Sequence, residues 1–243
     1  MLHDIMICFY KDLKFYFANR TIYLILAVYM LMLTAFTCFG SGFYNSAEIN
    51  LQSFFLYQPV VFALVIPGLT MRSLADEARN RTLEIILSQP ISRISIILAK
   101  FLSVWTVCGI LLLSSMIFWW ILALLLPLDN LWVLCNYFVT FLIAGALCAI
   151  ALWGASFSNN YAAAFILSLS LCSLILNFNF GWIAELISPS SLLGIRIARS
   201  FSFLKQYAEM ISGQLRLSSL IYFAASIATF VSLTIINLEY KRR

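Results

Sequence analysis

Charge is what this chain has least of: Asp, Glu, Lys and Arg together make up 10% of its 243 residues. Histidine occurs once, as His3 beside the N-terminus, so neither a Ser-His nucleophile pair nor a His-rich metal site can be assembled in the interior. No GxxxxGK[ST] segment occurs, which leaves the chain without a P-loop to cradle nucleotide phosphates. Catalytic residues, a resident cofactor and a metal site are therefore not expected here, and any use of ATP and its magnesium falls to a separate subunit. The six cysteines, Cys8, Cys38, Cys108, Cys135, Cys148 and Cys172, contain no CxxC pair and sit in apolar stretches, where they read as small packing residues.

What fills the chain instead is apolar: 63% of residues are hydrophobic and the mean hydropathy is +0.97. Ordinary soluble domains hold roughly 45–50% apolar residues, so this composition defines an integral membrane protein. With charge so sparse, the uncharged intervals measure the spans. Those from Arg20 to Glu48, Glu48 to Arg72, Lys100 to Asp129 and Arg216 to Glu239 can each hold the roughly 20 apolar residues a membrane helix needs. The interval from Asp129 to Glu185 is too long for one crossing and breaks at "GASFSNNYAAAF", a polar hinge around Ser156, Ser158, Asn159 and Asn160. The expected fold is all-α and integral to the membrane, with six transmembrane helices in one domain over 1–243. The spans fall at about 21–41, 52–71, 98–126, 131–154, 161–178 and 217–238.

Eleven of the fifteen Lys and Arg residues lie before the first span, between the second and third, or at the C-terminus. That bias predicts both termini on the cytoplasmic side of the plasma membrane. The exception is the external segment 179–216, which carries Arg196, Arg199, Lys205 and Arg216. The first 20 residues do not read as a secretory signal, because Asp4, Lys11, Asp12 and Lys14 interrupt any apolar core. Their helical projection puts His3, Asp4, Lys11 and Lys14 on one face, with Leu2, Ile5, Phe9, Leu13 and Phe17 over much of the rest. An amphipathic interfacial helix carrying Lys11, Asp12 and Lys14 is the expectation.

The remaining charge is concentrated in one loop. "PGLTMRSLADEARNRTLEIILSQPISR" interleaves Arg72, Asp76, Glu77, Arg79, Arg81 and Glu84 with Leu74, Ala78, Leu83, Ile86 and Leu87 at helical spacing. Arg72 with Asp76, and Glu77 with Arg81, stand at i, i+4 and would support a short helix in water. Pro90 then disfavours helix at Gln89, and a second helix begins near Ser92 and runs into the third span. Anchoring positive charge explains the arginines but not the interleaved acids and leucines; a docking surface for a cytoplasmic partner explains both. "DEARNR" also fits the [DE]ExxxR pattern of intramembrane CAAX-type proteases, but those need histidines on later helices, which are absent. Spans all but free of charge likewise disfavour an ion channel or ion-coupled transporter.

"IPGLTMRSLADEARNRTLEIILSQPISRISIILAKFL" resembles the hallmark segment of ABC-2-type transporter permeases at Pro67, Thr70, Met71, Arg72, Asp76, Glu77, Thr82, Glu84, Pro90, Ser92, Ala99 and Lys100. "YKDLKFYFANRTIYLILAVYMLMLTAF" is similar to the family's amphipathic helix and first span, and "LIYFAASIATFVSLTIINLEYKRR" to its last span and basic tail. The gliding-motility-associated (GldF-like) permeases are the nearest subgroup, with heme-exporter permeases a looser match. Arg81 stands where the family has glycine, and 179–216 matches poorly. The resemblance implies the permease subunit of an ATP-binding cassette exporter. A coupling elbow at about 72–97, with Arg72, Asp76, Glu77, Arg79, Arg81, Thr82, Glu84 and Pro90, would dock on a separate ATP-binding subunit. A second permease copy or a sister permease would complete the path through the lipid bilayer, with no nucleic acid involved. The rival readings are a non-transporting membrane scaffold or assembly factor, and a secondary transporter or channel.

Overall fold

A computed structural model describes residues 2–18, 20–40, 51–79, 92–125, 129–158, 160–177, 202–214 and 216–240. Every regular element among them is helical: α1 (Leu2–Ala18), α2 (Thr21–Ala35), α3 (Leu51–Arg79), α4 (Arg93–Leu125), α5 (Asn130–Ala155), α6 (Tyr161–Asn177), α7 (Phe203–Ile211) and α8 (Leu217–Tyr240). The helices inside 52–73, 94–121, 130–155 and 217–239 are each long and apolar enough to cross a bilayer. α1 and α2 form a pair bent by 75°, and α6 is an apolar helix of 17 residues. Four of the six expected spans are therefore met by single long helices. The first corresponds to the second arm of the bent pair, prolonged by a π turn at Phe36–Gly40, and the fifth to the shorter α6.

The boundaries follow from local chemistry. Ser92 opens α4: its hydroxyl oxygen accepts from the Ser95 N–H at 3.3 Å and its carbonyl from Ile96 N–H, which is N-cap behaviour just beyond Pro90. Asp129, in extended conformation, starts α5 by accepting from Leu131 N–H at 3.2 Å. α5 ends at the expected hinge, where Ser156 N–H bonds back to Leu152 O and Asn160 Oδ1 accepts from Ala162 N–H to begin α6.

α5 lies at the centre, buried continuously from Ile143 to Leu152 and packed on α3, α4, α6, α7 and α8. A helix apolar all round belongs in a bundle core or in lipid, and this one takes the core. Its contact with α6 is close because the facing residues are small. A Cβ on Gly154 would stand 2.8 Å from Ser168 Cα, and the Ser168 hydroxyl reaches Ala151 O at 2.9 Å. Ala151 with Ala155, and Ala164 with Ser168, repeat at four-residue spacing, the small-residue packing that lets helix backbones approach in lipid. α8 is peripheral and turns Leu217, Ile221, Leu233 and Ile236 outward.

Candidate functional site: a three-helix junction and an intramembrane polar layer

α3 has 29 residues and α4 has 33. At about 1.5 Å per residue each exceeds the roughly 30 Å hydrocarbon core by several turns, long enough to project beyond it. The C-terminus of α3 and the N-terminus of α4 are the two stems of the charged loop. α1 crosses there, packing mainly on α4 rather than on its sequence neighbour α2.

Two rungs fasten the junction. Asp12 and Tyr16 stand one turn apart on α1; Leu69 and Ser73 stand one turn apart on α3. The Tyr16 hydroxyl donates to Leu69 O at 3.0 Å. Lys100, from the second turn of α4, donates from Nζ to Ser73 O at 2.8 Å and lies 3.7 Å from Asp12 Oδ2. Lys100 is 4% exposed and Asp12 9%, so this is a buried ion pair rather than a surface contact. Burial pushes the Tyr16 hydroxyl well above the usual tyrosine range, so it stays protonated and remains a donor. Three helices thus converge on one cation at the foot of the loop.

The expected coupling residues divide by position. Arg72 lies half-buried one residue before Ser73. Asp76, Glu77 and Arg79 belong to the last turns of α3, which stays helical through them without interruption. Arg81, Thr82, Glu84 and Pro90 lie outside the described residues. On α1, Lys11 and Lys14 are exposed as expected of an interfacial helix, but Asp12 turns inward to Lys100. The outward face also carries Met6, Ile7, Tyr10 and Phe15, so its polar stripe is narrower than the helical projection implies. The resemblance includes Lys100 in the hallmark segment without a role, and nothing local to Lys100 or Asp12 signals the contact between them.

A second polar layer lies toward the other end of the bundle. Tyr29 of α2 donates to Gln58 Oε1 of α3 at 2.7 Å, and the Ser115 and Tyr137 hydroxyls of α4 and α5 approach to 3.5 Å. Tyr207 of α7 donates to Phe55 O at 2.8 Å, and its oxygen lies 2.9 Å from the Thr140 hydroxyl, which also reaches Asn136 O at 2.7 Å. The buried amide nitrogens of Gln58 and Asn136 have no acceptor among the described residues. These groups are hydroxyls and amides without fixed charge, suited to joining helices rather than to relaying ions. A groove of about 440 Å³ between α4 and α5, lined by Gly109, Leu113, Leu134, Tyr137 and Phe138, is almost wholly apolar.

Long apolar helices around a buried central helix, with most of the charge toward one end, define a multi-pass helical membrane protein. The family described as ABC-2 family transporter protein has a sequence model that matches residues 50–239, most of the chain. The chain belongs to that family, whose members are permease components of ABC transporters. No curated protein matches it.

Proposed function

We propose that this chain is the transmembrane permease subunit of an ATP-binding cassette exporter, driven by a separate ATP-binding subunit that docks on the 72–97 elbow. The observation that carries this reading is the junction itself: the α3 stem, the α4 stem and α1 are tied to one another through Lys100 at the point where the elbow leaves the bundle. A lever must be stiff at its fulcrum, and a buried, hydrogen-bonded ion pair between three helices supplies that stiffness. ATP and magnesium belong to the partner, whose closure pushes on the elbow. The displacement passes along α3 and α4, which run without a break from elbow to bundle. A second copy or a sister permease completes the path. In this reading the chain crosses a bacterial inner membrane six times, with both termini and the elbow in the cytoplasm, and is closest to the gliding-motility-associated permeases.

The test is co-purification in detergent with a candidate ATP-binding subunit, followed by ATPase assay of the complex. Glu84→Lys and Asp76→Lys are expected to insert normally yet reduce recovered ATPase subunit or coupled hydrolysis at least about tenfold, the loss of one or two charge-assisted contacts. Normal complex formation in both variants sinks the docking assignment. Full transport with an ATP-binding subunit unable to hydrolyse would point to a secondary transporter instead.

A further inference from the structure

Pro59 lies inside α3 and has no N–H to give the carbonyl four residues earlier, that of Phe55. A helix carbonyl left unmet within a membrane is costly. The Tyr207 hydroxyl, from a residue 152 positions away, donates to the Phe55 carbonyl at 2.8 Å. Tyr207 is fully buried, and its oxygen also meets the Thr140 hydroxyl of α5. α7 itself has nine residues, about 13 Å of helix, far too short to span. It buries Phe203, Tyr207, Met210 and Ile211 along one stripe, with Phe203 edge-on to Phe223 of α8 at 5.0 Å. Gly213, at φ +94°, ends α7 in a left-handed turn that leads into α8 within a few residues.

We propose that α7 is a latch across the end of the bundle remote from the elbow. Tyr207 is its positioning residue, seated on the backbone vacancy made by Pro59, and Gly213 is the pivot about which α7 swings when that bond is released. The Tyr207 hydroxyl bonds to α3 through Phe55 O and touches α5 at Thr140, so parting those two helices at that end requires its release. The permease reading supplies the purpose, an outer gate; the latch stands on the Pro59–Phe55–Tyr207 geometry.

The experiment is hydrogen–deuterium exchange of the full chain in lipid nanodiscs, read by mass spectrometry on peptides covering 203–211 and 130–155. Tyr207→Phe keeps the ring and loses the bond; exchange over 203–211 is expected to rise about tenfold, with the centre of α5 unchanged. Pro59→Ala returns an N–H to the Phe55 carbonyl, so the same tyrosine change in that background is expected to cost about threefold or less. Equal acceleration in both backgrounds, or none in either, overturns the latch. Pro59→Ala alone serves if the tyrosine variant does not fold: it is expected to speed exchange of α7, and unchanged exchange overturns the proposal. Because no ATP-binding subunit is present, a failed co-purification would sink the permease reading and leave the latch standing.

Discussion

Lys100 illustrates how one residue in a charge-poor chain acquires weight. Its ammonium is held by a carbonyl and a carboxylate away from water, and truncating either partner of a buried pair leaves the other charge uncompensated. Lys100→Met is therefore expected to destabilise the chain by about 3–5 kcal/mol, measured by thermal unfolding in detergent. Lys100→Met with Asp12→Leu should cost clearly less than the sum of the single changes, because the second removes the stranded carboxylate. Strict additivity would show that the two do not act as a pair. Glycines give a matched contrast. Gly154→Ala sets a methyl against the backbone of Ser168 and should cost about 1–3 kcal/mol. Gly68→Ala meets nothing within 4 Å in α3 and should be neutral or stabilising by up to about 1 kcal/mol. The same melting assay ranks them, and equal effects would mean that α5 and α6 are not in backbone contact. Neither the Asp12–Lys100 pair nor the Tyr207 bond was legible beforehand, since each joins distant parts of the chain and depends on how helices rotate once packed.

At the scale of elements, hydropathy and turn chemistry carried far. Asp129, the Ser156–Asn160 hinge and Ser92 mark helix boundaries where the sequence placed them, because capping and turns depend on neighbours a few residues away. The sequence assigns 179–216 to an external segment and leaves its structure open; its part at 203–211 is a helix. Phe203, Tyr207, Met210 and Ile211 repeat at the helical period, so the signal existed; Lys205 and Glu209 within so short a stretch lowered its hydropathy below that of a span. The first elbow helix also proves not to be a separate element at its start: α3 continues from its apolar part to Arg79. That continuity makes the elbow charge-reversal test informative, since Asp76 sits on the same rod as the polar layer.

For the whole molecule, four long helices and the family match agree with the multi-pass architecture that composition alone demanded. Six crossings remain a proposal that one labelling experiment decides. A cysteine at position 199, in a chain whose accessible native thiols are replaced, should react with impermeant maleimide added from outside the cell. Labelling only from the cytoplasmic face would remove one crossing. The seating of α1 has a further consequence for how the protein is made. α1 leaves the ribosome before α4, yet it rests chiefly on α4, and its Asp12 carboxylate pairs with Lys100 there. During biogenesis Asp12 must wait at the watery boundary until α4 has been inserted, so α1 docks out of the order in which the helices are made. A defect at Lys100 should accordingly appear as a fault of maturation: chains correctly inserted, then cleared by membrane proteases with the N-terminal segment cut first.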